Sequence, residues 1–225
     1  LLRHPRHPHD PGSRTMNLRL LPALLLLAAP VALRAAEQGE LLSSNAWTTV
    51  DFPAAGTVEW KGDTLVIGMG EMLTGVVATN NVPLMNYEIQ LEARRTMGSD
   101  FFCGLTFPIA TNHCTIIMGG WGGGILGMSS IDGLDASENQ TSKYMTFDDN
   151  RWYALRVRVT PGMISAWLDG KAFIDEFETE GHRLHMRHGD IEKCIPLGIA
   201  TWQTRGEIHD IRLSRLPEAP VEKAS

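Results

Sequence analysis

The chain is predicted to fold as an all-β antiparallel sandwich or barrel, because its apolar residues recur at every second position between turn signals. In 86–95, Tyr87, Ile89 and Leu91 alternate with charged or amide side chains, and a second alternation fills 151–160. No long window shows a helical period. About a dozen short strands of this kind indicate a sandwich or a barrel.

The individual strands follow from the turns that bound them. In chain order the predicted strands are 58–60, 64–67, 73–79, 86–95, 101–107, 115–118, 151–160, 164–168, 172–177, 195–203 and 207–216. The turns are marked by Gly62-Asp63, Gly98-Ser99, Pro161-Gly162 and Asp169-Gly170. No Pro/Ser-rich linker divides the chain, so we expect one domain over 46–216 and a Pro- and charge-rich tail at 217–225.

Composition excludes several classes of protein. The chain has 225 residues, of which 43% are hydrophobic and 20% charged, so a disordered chain is not expected. Its net charge of −6, without a basic stripe, argues against a nucleic-acid partner. No segment has the length of a membrane-spanning helix, so we expect no membrane span.

The start of the chain is predicted to be absent from the folded protein. Residues 1–15 read as translation upstream of a mis-called start. Met16 then opens a secretory signal over 16–36, with Arg19, an apolar run and small residues at its end. We therefore expect an exported protein, periplasmic or extracellular. The odd count of cysteines, Cys103, Cys114 and Cys194, favours free and inert buried thiols.

Several stretches resemble the 3-keto-disaccharide hydrolase domain family, in the version common in exported proteins of planctomycete-type bacteria. They are NYEIQLEAR (86–94), GLTF (104–107), GGWGGG (119–124), SSIDGLDASENQT (129–141), RWYALRVR (151–158), WLDG (167–170) and PLGIA (196–200). The resemblance implies a jelly-roll sandwich like concanavalin A and laminin G domains. It also implies a hydrolase acting on glycosides oxidised at C3, with no required cofactor. The alternative is a carbohydrate-binding module without activity.

Aromatic and basic residues are the candidate substrate-binding groups. The glycine-rich stretch 119–124 is expected to place Trp121 on the rim of a groove for an oligo- or polysaccharide, where a sugar can stack on the indole. Trp202 and Trp167 fall on the non-core side of their strands, as do Arg94 and Arg158. Structural packing and ion pairs are the alternative for all of them.

Catalytic and metal candidates are carboxylates and one imidazole. His113 begins a strand and is the candidate general acid or base, together with Asp135 and Glu138. Asp132, Asp135 and Asn139 form an oxygen-rich cluster of the kind that holds Ca²⁺, although their spacing is not that of an EF-hand. A polar loop built of Asx turns is the alternative.

Overall fold

The structure is a computed structural model that describes residues 39–217, in which two antiparallel sheets pack face to face. Sheet A contains β1 (Glu40–Leu41), β3 (Val58–Lys61), β4 (Thr64–Ile67), β6 (Tyr87–Gly98), β11 (Tyr153–Thr160), β12 (Met163–Leu168), β13 (Lys171–Glu178) and β15 (Thr204–Arg215). Sheet B contains β2 (Trp47–Thr49), β5 (Leu73–Ala78), β7 (Cys103–Ile109), β8 (Asn112–Gly119), β9 (Ile125–Ser129), β10 (Lys143–Tyr144) and β14 (Gly198–Trp202). The predicted upstream segment, the signal and all but the first residue of the tail lie outside the described residues.

The strand order confirms the predicted fold class. Sheet A runs β13-β12-β11-β6-β15-β4-β3, and β1 also pairs with β15. Sheet B runs β10-β9-β8-β7-β14-β5-β2. Strands that follow one another along the chain, such as β7 and β8, pair directly. The strands β6 and β15 also pair, although more than 100 residues separate them in the sequence. The result is an antiparallel sandwich in which each sheet mixes early and late strands.

Helical structure is limited to three short turns within the described residues. Two are 3-10 turns, at Ser44–Ala46 and Asp190–Cys194, and the third is a four-residue turn at Gly120–Gly123. In this part of the chain no helix has both the length and the apolar character needed to cross a bilayer.

The main core lies between the two sheets and is filled by the alternating residues. Ile89, Leu91 and Val157 point inward from sheet A, as the sequence pattern predicts. An aromatic group of Phe102, Phe147 and Tyr153 packs edge to face, with ring centroids 5.0 to 5.3 Å apart for its two tightest pairs. Such pairs add to the free energy gained by burying the rings.

A second apolar cluster covers part of the outer face of sheet B. It is formed by Val50, Phe52, Leu73, Cys194 and Ala200. The turn at Asp190–Cys194 approaches β14 closely, because a Cβ at Gly198 would lie 2.5 Å from the Cβ of Cys194. Only a glycine permits this contact. Sheet B is thus buried on both faces where the turn lies on it.

Three strands of sheet B, β2, β9 and β10, were not expected from the sequence, and neither was β1 of sheet A. The strands β1 and β2 have only two and three residues, too few to show a period. The sequence of β9 is Ile-Leu-Gly-Met-Ser, and its outer-face positions are Ile125 and the small residues Gly127 and Ser129. Because loop residues lie close to that face, it carries no charged residues, and Ser129 is its single polar residue. The strand β10 has only two residues, too few to show any period.

The three cysteines are free and fully buried, as expected. Burial raises the pKa of each thiol, Cys103, Cys114 and Cys194, to about 12, because the apolar surroundings disfavour the thiolate. The thiolate is the reactive form, so all three should be inert in the folded protein.

We therefore expect Ellman's reagent to modify none of the cysteines of the native protein at mildly alkaline pH. The same reagent should modify all of them in guanidinium chloride, where burial is lost and the thiol pKa returns to its ordinary value. Absorbance of the released thiolate follows both reactions. A cysteine of the folded protein that reacts as fast as in the unfolded chain would contradict the described packing.

Candidate functional site

A pocket of 470 Å³ opens on the outer face of sheet B, beside the second apolar cluster. It extends across the sheet from Leu73 on β5 to Ser129 on β9. Its apolar walls include Phe101, Trp121 and Trp202. Two of the three tryptophans that the sequence assigned to substrate binding, Trp121 and Trp202, therefore line one cavity.

The floor of the pocket carries two hydroxyl groups beside the apolar side chain of Ile117. Thr115 lies on the outer side of β8, since its neighbours Cys114 and Ile116 point into the main core. Its hydroxyl is 3.0 Å from that of Thr106 on the adjacent strand. Ser129 contributes a second hydroxyl from β9. The pocket therefore presents hydroxyl groups below and aromatic rings at the sides.

The turn that carries Trp121 has an unusual backbone. Gly119, Trp121 and Gly122 all have positive φ, and Trp121 adopts φ 51° and ψ 53°. A non-glycine residue in this left-handed region costs about 1–3 kcal/mol and is found where the surroundings impose it. Trp121 remains 43% exposed. The turn therefore holds the Trp121 indole at the rim of the pocket, although a tryptophan backbone does not favour this left-handed conformation.

Asp100 fixes this turn to the adjacent strand. Its carboxylate accepts one hydrogen bond from the backbone N–H of Phe101 at 2.7 Å and another from that of Gly122 at 3.1 Å. Its own N–H donates to the hydroxyl of Thr204 at 3.0 Å. Asp100 thus links two aromatic walls of the pocket, Phe101 and Trp121.

Arg95 supports the same turn from below. Its guanidinium donates to Asp149 at 2.6 Å and to the carbonyl of Phe147 at 2.7 Å. A Cβ at Gly123 would lie only 3.1 Å from Nη1 of Arg95. The turn therefore rests directly on a fixed cation, and the glycine allows this close approach.

The remaining wall comes from the chain segment 182–190, which pairs with the loop after β9. Ser130 and His185 exchange backbone hydrogen bonds at 2.8 and 3.3 Å. Arg187 donates to Asp135 at 2.7 Å. Asp135 in turn accepts hydrogen bonds from the hydroxyls of Ser129 and Ser130 at 3.0 and 2.9 Å. Asp135 is thus the junction between the floor and the wall.

A family model accounts for most of the described chain. The model of the 3-keto-alpha-glucoside-1,2-lyase-like domain matches residues 57–213. The chain belongs to this family. It is therefore a concanavalin A-like domain of a carbohydrate-active family. No curated protein matches the chain significantly.

Solved structures of carbohydrate-active enzymes share the fold. An alginate lyase from polysaccharide lyase family 7 is similar over 79% of this chain and 100% of its own, with a TM-score of 0.50 and 9% identity. SCLam, a non-specific endo-beta-1,3(4)-glucanase from family GH16, is similar over 79% of this chain and 87% of its own, also with a TM-score of 0.50 and 9% identity. Likeness at this identity shows the fold alone. A planctomycete-type origin stays a prediction.

The other predicted substrate-binding residues lie on the opposite side of the sandwich. Trp167 is on the outer face of sheet A, where the guanidinium carbons of Arg156 and Arg158 lie 3.9 and 5.5 Å from its ring centroid. Arg158 also pairs with Glu88 at 2.8 Å. These contacts are the structural packing that the sequence left open as the alternative.

Arg94 lies on the same outer face of sheet A. It pairs with Glu207 at 2.6 Å and stacks at 4.4 Å on the ring of Trp152. The structure therefore brings together Trp121 and Trp202 but separates them from Trp167, Arg94 and Arg158 by the thickness of the sandwich.

His113 shares a face with the pocket but does not line it. It occupies the start of β8, whereas Trp121 follows the end of that strand. Burial lowers the pKa of His113 from its ordinary value, because the charged imidazolium is poorly solvated there. Its Nε2 is buried without a hydrogen-bond partner. The imidazole is thus held neutral at a distance from the indole.

The predicted calcium ligands are occupied by contacts within the loop and to the segment 182–190. Asp132 binds Nδ1 of His182 at 2.6 Å and the N–H of Arg183 at 2.7 Å, and the backbone N–H, followed by the imidazole, lowers the pKa of this carboxyl. The amide of Asn139 donates to the carbonyl of Met128 at 2.7 Å, and its oxygen accepts from Thr141 at 2.6 Å.

Glu138 is exposed and does not line the pocket. Between residues 39 and 217, no group of three or more His, Cys, Asp or Glu side chains is arranged to hold a metal. Calcium binding at Asp132, Asp135 and Asn139 stays a prediction.

Sequence reasoning missed the residues of the wall, chiefly Phe101, His188 and Asp190. Phe101 precedes β7, although the predicted strand began with it. His188 and Asp190 lie in the irregular segment and short turn between β13 and β14, where no period relates a residue to a face. One signal was present: the segment 182–190 is rich in His and Arg and lies between two strands without alternating itself. A long irregular segment of this kind has to run over the surface of a sheet.

Asp100→Ala should loosen the turn that carries Trp121, because it leaves the N–H groups of Phe101 and Gly122 without their acceptor. We expect a loss of about 1–2 kcal/mol in the free energy of unfolding, measured by urea titration. Asp175→Ala, at an exposed position on β13, is the control and should change it by less than about 0.5 kcal/mol. Equal losses in the two variants would show that Asp100 has no special role.

Proposed function

We propose that the domain binds a neutral carbohydrate in the pocket on the outer face of sheet B, with sugar rings packed against Trp121 and Trp202. The observation that carries this proposal is that both indoles line one pocket with hydroxyl groups on its floor. The C–H face of a sugar packs on an aromatic ring, while its hydroxyls need polar partners. A volume of 470 Å³ lies in the range of small-molecule sites.

The charges around the pocket favour a neutral ligand. Asp100 and Asp190 both belong to its lining, and Lys193 pairs with Asp190 at 2.9 Å. Arg187, the one arginine of the described lining, donates to Asp135 and is therefore also paired. An anionic sugar would find no free guanidinium in this lining to offset its charge.

The second candidate function is cleavage of a glycoside oxidised at C3, which family membership favours. The C3 ketone acidifies the hydrogen on C2. A base removes that proton, the C2–H electron pair forms a double bond between C1 and C2, and the bond from C1 to the leaving oxygen breaks. The leaving oxygen takes up a proton, and water then adds across the double bond.

His188 is the base that the pocket geometry favours for this reaction. His188 belongs to the lining with its side chain 88% exposed, and Nδ1 lies 3.2 Å from Oε1 of Glu192. The predicted candidates His113, Asp135 and Glu138 are not part of the lining. In this proposal His188 therefore takes the role that the sequence gave to them.

Replacing the tryptophans tests the binding proposal. Trp121→Ala and Trp202→Ala should each weaken oligosaccharide binding about five- to thirtyfold, since one stacked ring contributes about 1–2 kcal/mol. Isothermal titration calorimetry gives the affinity and a thermal melt gives the stability. Trp167→Ala, on the opposite sheet, is the matched control and should leave the affinity unchanged. An equal loss of affinity in Trp167→Ala would place the ligand elsewhere.

A second experiment tests cleavage. The protein is incubated with a 3-keto-α-glucoside and with the parent α-glucoside, with and without EDTA, and the released sugar is measured by chromatography. We expect release from the oxidised substrate alone, unaffected by EDTA, and a loss of at least about a hundredfold in His188→Gln. His182→Gln, outside the pocket, is the control. Absence of release with retained binding would leave the binding module as the function.

A further inference from the structure

The pocket continues toward an edge of sheet B where an exposed aromatic residue lies. From β5 the pocket crosses the sheet to β9, and only β10 lies beyond it. Tyr144 on β10 is 86% exposed, more than any other large apolar or aromatic side chain in 39–217. An aromatic side chain this exposed, next to a pocket, is a candidate ligand contact.

The register of the strands puts Tyr144 level with the tryptophan turn. Gly120, directly before Trp121, forms a bridge with Ile125. Ile125 in turn pairs with Tyr144. Cross-strand partners share a face of the sheet, and the next residue of β9, Leu126, points into the main core. Tyr144 therefore lies on the outer face, two strand spacings or about 10 Å from β8.

The tyrosine ring rests on the backbone of the same turn. A Cβ at Gly124 would lie 2.6 Å from Cε2 of Tyr144, so only glycine leaves room for the ring. The N–H of Met145 donates to the carbonyl of Gly124 at 2.9 Å and fixes β10 to the turn. The ring thus lies beside Gly124 along the edge that carries Cδ2, Cε2 and Cζ, while the residue stays exposed, as a stacking platform requires.

We propose that Tyr144 is a second sugar-stacking platform outside the pocket, and that the ligand is an oligosaccharide longer than a disaccharide. Its chain runs across the strands, from the rings in the pocket, over the turn at Gly120–Gly123, to Tyr144. The inference rests on the proposed carbohydrate binding and specifies its substrate class. It adds a site that is physically separate from the pocket lining.

A second copy of this chain fits the same surface less well. Pairing along an edge strand needs a run of free backbone groups, and β10 has two residues. One of them, Lys143, is exposed and charged, which is how edge strands avoid such pairing. The exposed ring therefore suits a small flat ligand better than a protein edge.

Affinity as a function of sugar length tests the inference. The probes are three neutral series, maltose to maltohexaose, cellobiose to cellohexaose and laminaribiose to laminarihexaose, titrated by calorimetry into the full chain. For a series that binds, we expect the affinity to rise beyond the disaccharide. Tyr144→Ala should remove that rise, a loss of roughly three- to tenfold for the longer members, and leave the disaccharide unchanged.

Two variants control for other effects of the substitution. Tyr144→Phe keeps the ring and should bind like the unchanged protein. Leu84→Ala removes a side chain that is also exposed but lies at the other end of β8, where its carbonyl accepts from Ala110. It should leave every affinity unchanged.

The outcomes separate this inference from the proposed function. Two outcomes overturn the platform but not the proposed binding in the pocket. One is disaccharide binding that depends on Trp121 without any gain in affinity for longer sugars. The other is a gain in affinity with length that persists in Tyr144→Ala. Failure of all three series to bind overturns both. A dimer that dissociates on Tyr144→Ala, seen by light scattering, without a length effect, would assign the ring to a protein contact and overturn the platform.

Discussion

The close seating of the Asp190–Cys194 turn on sheet B is the constraint on which the site depends. A sheet in a sandwich usually buries one face and leaves the other in water. Here Cys194 contacts β14 at Gly198, where no side chain would fit, and the apolar cluster around Leu73 and Ala200 covers part of the outer face. The pocket lies beside this covered part. The position of the pocket is thus set by the turn and the apolar cluster that cover the neighbouring strands, and not by the sheet alone.

Aromatic rings are held around that opening by polar contacts to the backbone. Asp100 binds the turn of Trp121, Arg95 lies under it, and Asp135 ties the floor to the wall through Arg187. Each of these charged groups is largely satisfied by the protein, which removes much of their field from the pocket. The groups of the pocket that stay available to a ligand are aromatic ring faces and hydroxyls, which suit a neutral sugar.

The sequence predicted the fold from strands such as β6 and β11, where a buried and a wetted face alternate. It did not reveal β9, whose outer face carries Ile125, Gly127 and Ser129 and so shows no run of charged residues. For the site, the alternation of apolar and polar residues separates core-facing from outward-facing side chains, but it does not tell on which of the two sheets' outer faces a side chain lies. Trp202 and Trp167 have the same pattern on their strands, yet the two sheets turn them in opposite directions. The wall around His188 has no period at all, so only the folded chain places it.

The outer face of sheet A differs from that of sheet B in having no part in the proposed site. Its arginines stack on Trp152 and Trp167 and pair with Glu88 and Glu207, so its charges are offset locally and its rings are covered. This surface lies on the opposite side of the sandwich from the pocket. It is therefore the side through which the domain can be attached to a resin, a fluorophore or a fusion partner while the opposite face stays free for its ligand.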